Sequence, residues 1–420
     1  MAETLLVKSV WMDGKKRDIY VEDGAISKIG GTPSKAGIVI DAKGRKAAFP
    51  GLINSHTHAA MTLLRGYADD LELSDWLTNH IWPKEAKITP DDVYWGTRLA
   101  CLEMIHCGTT CFNDMYFHPA EAARASDDAG MRATVSALLL DKGDKEKAET
   151  QKKNADKTLS QRPQKKSLIK KAIAIHSVYA TNPENIKWAT EYGLKHKCQV
   201  HTHLSETRWE NEDCVRQHGK RPVEYLDQLG ALTPNLTAAH CTWLTKSECS
   251  TLADRGVSVV HCPVSNMKLA TGGVMPYPEL KQAGANVALG TDGAASNNSL
   301  NMLESMKFAA LIQKAHRWDQ TVLPAKEAIA MATKGGAQAL KIPSGEIAEG
   351  KPADFFLLDL TRPETTPHHK IESDLVYSSN PSCVTETIIA GKILMKDGKI
   401  DREDEIIEKA LKQAEDYIRR

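Results

Sequence analysis

The amino-acid sequence predicts an α/β fold: a (β/α)8 TIM-type barrel with a second, small β-sandwich-like domain formed by both chain ends. Two observations carry this prediction. The middle of the 420-residue chain alternates eight apolar strand candidates with helical segments, which is typical of a closed barrel. Both ends consist instead of short strands that stop at Gly or Asp. We therefore expect a barrel over residues 50–345 and a discontinuous β-rich domain from residues 1–49 and 346–420.

The terminal strands show period-two alternation of apolar and polar residues. Near the start of the chain they read LLVKSVWM, RDIYVEDG and AISKIG, and near its end ADFFLLDL and ETIIAGKILMKDGKI. The last stretch, REDEIIEKALKQAEDYIRR, has the apolar spacing of an amphipathic helix. Both ends thus contain short strands with alternating apolar and polar residues, which favours one domain built from both.

The barrel strands are expected where short apolar runs end in polar residues. The candidates lie at 49–55, 109–115, 131–140, 172–177, 197–203, 236–241, 257–262 and 286–291. Helices are expected at 91–107, 119–129, 183–196, 244–254 and 301–316. The Lys-rich stretch 141–171 predicts a solvated, loosely helical segment.

The composition excludes several classes of protein. Lys+Arg and Asp+Glu both number 54, which argues against a nucleic-acid partner because such proteins carry a basic excess. The nine cysteines include no CxxC pair and indicate reduced thiols. No apolar run reaches the length of about 18 residues that spans a bilayer, and the N-terminus does not resemble a secretory signal. We expect a cytoplasmic protein without a membrane partner.

The sharpest local motif is FPGLINSHTH, which ends in His56 and His58. Side chains two residues apart in a strand point to the same face, so both imidazoles can bind one metal ion. A second motif, HTHLSE, supplies a third imidazole in His203 and a proton carrier in Glu206. His201 shares the face of His203 but lies deeper, and we expect it to pack.

Two more strand ends carry polar residues, His240 in AAHC and Asp292 in ALGTDG. Each motif alone fits a structural role. Every member of the set, however, falls at the C-terminal end of a predicted barrel strand, where barrel enzymes place their sites. Three histidines and one aspartate leave a metal site open for water, as catalytic sites require.

These motifs together resemble a known family. PGLINSHTH, DWL, HLSET, HC, HCPVSNMKL, GTDGAASNN and GEIAEGKPADFFLLD are similar to the amidohydrolase superfamily over nearly the whole chain. Within it, the chain resembles the 5′-methylthioadenosine/S-adenosylhomocysteine deaminases, which include archaeal 5′-deoxyadenosine deaminases.

The resemblance implies one metal per subunit, Zn²⁺, with Fe²⁺ or Mn²⁺ as alternatives. Its implied ligands are His56, His58, His203 and Asp292. Glu206 resembles the proton shuttle to ring N1 of an adenine, and it contacts the substrate together with Asp292. His240 and Asp292 resemble the groups that take or stabilise the proton of the attacking water.

Three further residues resemble substrate contacts. Trp76 is similar to the aromatic wall of a purine pocket, Glu85 to a carboxylate that binds ribose hydroxyls, and His176 to another substrate contact. Each also has a structural alternative: a core tryptophan, a surface acid and a buried barrel histidine.

The implied activity is hydrolytic deamination of adenosine-type nucleosides, in recycling of S-adenosylmethionine by-products. Relatives that favour S-adenosylhomocysteine place arginines after the third barrel strand, but residues 134–145 contain none. Lys142 or Lys145 cannot form the same bidentate fork with a carboxylate. We therefore expect 5′-deoxyadenosine, 5′-methylthioadenosine and adenosine as substrates, with S-adenosylhomocysteine weaker.

Two alternatives remain open at this point. One is another aminohydrolase or chlorohydrolase of the superfamily, of the guanine or triazine type. The other is a non-catalytic barrel scaffold that acts through assembly. The resemblance also implies a homo-oligomer, with a tetramer favoured.

Overall fold

A computed structural model describes residues 4–31, 33, 35–160 and 167–420. Its strands form two sheets. The first contains β1 (Thr4–Met12), β2 (Lys15–Glu22), β3 (Ala25–Ile29), β4 (Ile38–Asp41), β5 (Lys46–Pro50), β14 (Phe355–Asp359), β15 (Val384–Ile389), β16 (Lys392–Lys396) and β17 (Lys399–Ile400). The second contains β6 (Leu52–Thr57), β7 (Thr109–Met115), β8 (Arg132–Leu139), β9 (Ile169–Ile175), β10 (Val200–Leu204), β11 (Leu236–His240), β12 (Ser258–His261) and β13 (Asn286–Leu289).

The second sheet is the predicted barrel. Its eight strands are parallel and run in chain order from β6 to β13, and β13 lies beside β6 again, so the barrel is nearly closed. Buried apolar side chains of the strands and surrounding helices form its core. Parallel strands place all their carboxyl ends at one rim, which is where the polar residues of the motifs meet.

The helices of the barrel follow the strands. They and the shorter helical turns cover Ala59–Leu64, Leu73–Asp75, Trp76–Ile81, Trp82–Glu85, Pro90–His106, Pro119–Ala129, Lys145–Ser160, Pro183–His196, Arg208–His218, Pro222–Gln228, Lys246–Asp254, Pro263–Lys268, Tyr277–Ala283, Met302–Arg317, Ala325–Ala330, Met331–Gly335 and Gly336–Leu340. Side-chain oxygens at Thr89, Asn182, Thr207, Thr245 and Asn301 cap the first turns of five of them.

The sheet built from the two ends is mixed. β1 pairs in parallel with β4 and β5, whereas β5 pairs antiparallel with β14 from the far end of the chain. The helical segments Pro363–Thr365, Ile371–Tyr377, Pro381–Cys383 and Glu403–Arg419 accompany it. Both ends of the chain therefore contribute to one sheet, as expected, while the division into domains at residues 49/50 and 345/346 stays a prediction.

The single strand expected at 49–55 is two strands. β5 belongs to the terminal sheet and β6 opens the barrel, with Gly51 between them. A Cβ at Gly51 would lie 2.1 Å from Thr110 Oγ1, so the chain passes between the sheets where a side chain has no room. Residues 47–53 form an unbroken run of residues without polar side chains, so the sequence does not show where the chain changes from one sheet to the other.

The Lys-rich stretch contains the helix Lys145–Ser160 and, after residues 161–166, which lie outside the described part, the start of β9 at Ile169. Among the helices of the described residues, none has both the length and the apolar character needed to cross a bilayer.

Candidate active site

Three histidines and one aspartate converge at the carboxyl rim of the barrel. His56 lies on β6 and His58 directly follows it, His203 lies on β10, and Asp292 follows β13. Asp292 Oδ1 is 3.3 Å from His56 Nε2 and 3.2 Å from His58 Nε2, and the Nε2 atoms of His58 and His203 are 3.3 Å apart. The rim thus gathers the four ligand candidates of the sequence around one point.

The donor atoms of this cluster suit a divalent metal. A tetrahedral ion with ligand bonds of about 2.0–2.1 Å separates its ligand atoms by about 3.3–3.4 Å. The Nδ1–H of His58 donates to the carbonyl of Met115 at 2.5 Å, and the Nδ1–H of His203 donates to that of His176 at 2.6 Å. Both Nε2 atoms therefore keep free lone pairs. His56 Nε2 is buried without a hydrogen-bond partner, so the residues present fit a metal ion.

The ring of His201 contacts the ring of His56, one of the candidate metal ligands. Its Nε2 lies 2.8 Å from His56 Nδ1, and its Nδ1 lies 3.0 Å from Asn113 Nδ2. The sequence predicted packing for this buried histidine. The structure adds a polar contact that fixes the ring orientation of His56, as partners of metal ligands do.

Asp292 is held by three donors. Its Oδ2 accepts hydrogen bonds from Ser265 Oγ at 2.6 Å and Ser296 Oγ at 3.0 Å, and its Oδ1 accepts from the Gly293 N–H at 2.8 Å. Sequence reasoning missed both serines, although they lie inside the motifs HCPVSNMKL and GTDGAASNN. Their spacing to Asp292 carries no signal, because the contact depends on two loops meeting at the rim.

Glu206 and His240 lie beside the cluster. Burial, and secondarily the charge of Asp292, raises the pKa of Glu206 to about 8, so this carboxyl carries a proton at neutral pH. Its Oε1 is 3.8 Å from His240 Nδ1. Asn266 Nδ2 donates to that Nδ1 at 3.0 Å, which leaves the proton of a neutral His240 on Nε2.

A cavity opens above these groups. Its lining includes seven of the predicted residues together with Glu206: His58, Trp76, Glu85, His176, His203, His240 and Asp292. His56 is fully buried beneath it. One wall is the segment Leu73–Glu85, which we call the lid segment; it contributes Trp76, Ile81 and Trp82.

Two further titratable groups, Glu85 and His176, line the cavity. Burial raises the pKa of Glu85 to about 7, and the hydroxyl of Tyr116, which sequence reasoning missed, lies beside it. Burial lowers the pKa of His176 to about 3, so this imidazole is neutral. The Lys142 ammonium lies over the ring of Trp82, 3.1 Å from its centroid, and neither Lys142 nor Lys145 lines the cavity.

A nearly closed barrel with three histidines and one aspartate at its carboxyl rim defines a class of metal-dependent hydrolases. The chain belongs to the amidohydrolase family, whose model matches residues 47–394.

Within this family, the chain is similar to particular deaminases. It is 49% identical over 410 residues to a 5′-deoxyadenosine deaminase of Methanoregula boonei, covering 96% of this chain and 92% of the relative. It is 47% identical over 396 residues to a 5-methylthioadenosine/S-adenosylhomocysteine deaminase of Archaeoglobus fulgidus, covering 94% and 93%. A crystal structure of an adenosine deaminase from Xanthomonas campestris with bound zinc superposes with a TM-score of 0.92 at 37% identity, covering 99% and 98%.

Proposed function

We propose that this protein is a metal-dependent aminohydrolase that deaminates adenosine-type nucleosides to the inosine analogue and ammonia. The observation that carries this proposal is the position of the buried Glu206, 3.8 Å from His240 Nδ1, beside the ligand cluster and in the lining of a cavity that also holds a second carboxyl group, Glu85. A protonated acid near an activated water is what hydrolysis of an amidine carbon requires. The names of the relatives support the same reaction.

The metal ligands in this proposal are His56, His58, His203 and Asp292, with one Zn²⁺ per subunit and Fe²⁺ or Mn²⁺ as alternatives. When bound, the ion acts as a Lewis acid that makes a water nucleophilic at neutral pH. The hydrogen bonds from the Nδ1 atoms of His58 and His203 to carbonyl oxygens support this assignment, because they present Nε2 as the ligand atom.

The protein residues move the protons of the reaction. Glu206 donates its proton to ring N1, which makes C6 more electrophilic toward water. Asp292 accepts the proton released by the attacking water, and His240 stabilises the developing charge through its Nε2–H. Asp292 passes this proton to the amino nitrogen, which leaves C6 as ammonia, and the remaining hydroxyl proton returns to Glu206 as the C6 carbonyl forms. One water is consumed and one ammonia released for each nucleoside.

The lid segment and the opposite wall would recognise the substrate. Trp76 packs against the purine, Glu85 accepts hydrogen bonds from ribose hydroxyls, and neutral His176 is a further contact. The lining around them includes Phe117, Leu138 and Leu140, and it contains no Arg or Lys among the described residues. A homocysteine carboxylate therefore lacks a bidentate partner, which supports neutral 5′ groups: 5′-deoxyadenosine, 5′-methylthioadenosine and adenosine, with S-adenosylhomocysteine weaker.

An ammonia-release screen with metal analysis tests this proposal. The panel contains 5′-deoxyadenosine, 5′-methylthioadenosine, adenosine, S-adenosylhomocysteine and guanine, with a triazine as the chlorohydrolase probe. We expect turnover of the first three and one metal per chain. Preference for guanine or the triazine would favour the other hydrolase class. Absence of bound metal, without rescue by Zn²⁺, would favour a non-catalytic scaffold.

The remaining proposals come from the sequence. They are a cytoplasmic homo-oligomer, with a tetramer favoured, that recycles S-adenosylmethionine by-products and has neither nucleic-acid nor membrane partners. A two-domain division at residues 1–49 plus 346–420 and 50–345 belongs with them. Light scattering on the purified protein measures the subunit number, and a monomer would contradict the tetramer.

A further inference from the structure

The buried carboxylate of Glu210 accepts hydrogen bonds from two consecutive backbone N–H groups, those of Ser205 and Glu206. We call this pair of hydrogen bonds the grip. Glu210 lies in the first turn of the helix Arg208–His218 and is 1% exposed. Its Oε1 accepts a hydrogen bond from the Ser205 N–H at 2.9 Å, and its Oε2 accepts one from the Glu206 N–H at 2.8 Å. Two consecutive backbone amides thus share one carboxylate, which fixes both the position and the tilt of the peptide between them.

The gripped backbone turns sharply just before Glu206. Ser205 has φ +47°, a left-handed conformation that residues other than glycine rarely adopt. The other side of the turn is also anchored, because Ser205 O accepts from the N–H groups of Thr242 and Trp243 at 3.1 and 3.0 Å. The direction in which the Glu206 side chain leaves the backbone is therefore set by contacts outside its own residue.

The helix itself does not need the Glu210 carboxylate as its cap. Thr207 Oγ1 already caps it by accepting from the Glu210 N–H at 3.0 Å. The carboxylate instead reaches back to the two residues before the cap. Its contacts therefore serve the loop that holds Glu206 rather than the end of the helix.

We propose that Glu210 is a positioning residue: it holds the Ser205–Glu206 backbone so that the Glu206 carboxyl meets the substrate ring in reactive alignment. The kinetic part of this inference rests on the proposed function, since it concerns the proton donor of that reaction. The structural part, the grip on two amides, is measurable without any turnover.

The chain offers a matched control in Glu248. It is also a buried carboxylate, 3% exposed, in the first turn of the helix Lys246–Asp254. It accepts from the Thr245 N–H at 2.7 Å and from Arg221 Nε at 2.9 Å, and it does not line the cavity. A change here disturbs a capped helix start and leaves both hydrogen bonds from the Ser205 and Glu206 amides to Glu210 in place.

The experiment compares E210Q with E248Q in the metal-loaded enzyme. A glutamine keeps one acceptor oxygen but turns an NH₂ group toward the other backbone N–H, so the peptide shifts. We expect kcat of E210Q to fall by about 10- to 100-fold, the cost of a misplaced catalytic group. We expect KM and metal content to stay within about twofold of wild type, as for loss of alignment alone. E248Q should lose thermal stability and keep wild-type kcat.

Hydrogen exchange supplies the second readout. The Ser205 and Glu206 amides should exchange faster in E210Q than in wild type and remain protected in E248Q. If the wild-type protein does not deaminate nucleosides, the proposed function is wrong. Unchanged protection of the Ser205 and Glu206 amides in E210Q would instead contradict the proposed hydrogen bonds of Glu210.

Three kinetic outcomes would overturn the proposal: wild-type kcat in E210Q, loss of metal in parallel with kcat, or an equal fall of kcat in E248Q. If E210Q does not fold, E210D serves instead, because it keeps an anionic acceptor that is one methylene shorter. We expect kcat of E210D to fall by about 3- to 10-fold, a smaller misplacement. A folded E210D with wild-type kcat would contradict the proposal equally.

Discussion

The rim of the barrel and the lid segment form opposite walls of the same cavity and are built differently. At the rim, His203 lies one residue before the end of β10 and His58 directly follows β6, and backbone carbonyls fix the orientation of both rings. The lid segment consists of two helices of three and four residues joined by a wide helical turn, Trp76–Ile81, and none of the three has a side-chain N-cap bond.

The lid segment gains its support from far along the chain. Lys84 Nζ donates to the carbonyl of Ile418 at 2.6 Å, in the last helix. Tyr417 of that helix is buried, and after burial itself the charge of Glu85 raises the pKa of its hydroxyl. The comparison of the rim with the lid segment indicates two ways of building a site. The ends of the barrel strands position the groups proposed for the chemistry, whereas contacts with the last helix support the wall proposed to bind the substrate. Changes at the rim should therefore abolish turnover, and changes in the lid should alter KM.

The largest effect is expected for D292N. The amide removes the anionic ligand that faces both His56 and His58, so metal content should fall. Turnover should drop by more than about 10⁴-fold, the upper end of what loss of a general acid alone costs. Metal analysis and steady-state assays measure both quantities. A D292N protein that keeps the wild-type metal content would contradict the ligand assignment.

The next effect is expected for E206Q. The amide cannot donate and regain a proton at ring N1, so kcat should fall by about 10²- to 10⁴-fold, while metal content stays at the wild-type level because Glu206 is not among the proposed ligands. Retained deamination by a metal-replete E206Q protein would remove Glu206 from its proposed role.

A smaller effect, confined to binding, is expected for E85Q. Loss of a charge-assisted hydrogen bond of about 1.5–3 kcal/mol should lower kcat/KM by about 10- to 150-fold, mostly through KM. The matched control is 2′,3′-dideoxyadenosine, which lacks the ribose hydroxyls and should be nearly insensitive to the substitution. Equal losses with both nucleosides would show that Glu85 does not bind the ribose.

The pH dependence of KM should follow the same carboxylate. Burial raises the pKa of Glu85 to about 7 against the opposing charge of Lys142, with the Tyr116 hydroxyl beside it and Tyr417 nearby. The anionic form, the better acceptor, is populated above that pH. Wild-type KM should therefore rise as the pH falls below 7. In E85Q this dependence should be flat, and a wild-type profile in E85Q would assign it to another group.

The smallest effect is expected for K84M, which removes the bond from the lid segment to the Ile418 carbonyl. Lys84 is partly exposed, so water weakens this charge-assisted hydrogen bond to about 0.5–1.5 kcal/mol, and KM should rise by about 2- to 10-fold with kcat unchanged. R419A is the control: it removes an exposed partner of Glu415 in the same last helix. If R419A raises KM as much as K84M, the contact is not specific to the lid.

Much of this fold, and the convergence of the four ligand candidates, could be predicted from local patterns. Period-two spacing puts His56 and His58 on one face, and the alternation of strands and helices implies a barrel whose rim gathers every strand end. Eight parallel strands confirm that prediction. The roles proposed for Glu206, His240 and the lid residues stay predictions, although the structure places them at one cavity.

Other features could not be predicted from the sequence because they depend on contacts between distant segments. The passage from one sheet to the next at Gly51, the hydrogen bonds of Ser265 and Ser296 to Asp292, and the grip of Glu210 on a left-handed turn leave no periodic signal.

The sequence by itself determined which residue types stand at the ends of the barrel strands, because hydrophobic period and strand length are local properties of a chain. Only the tertiary structure decided how those residues are oriented and what closes the cavity over them. The hydrogen bond from Lys84, in the lid segment, to the last helix more than 300 residues away is the clearest case, because no local pattern links two segments that far apart in the chain.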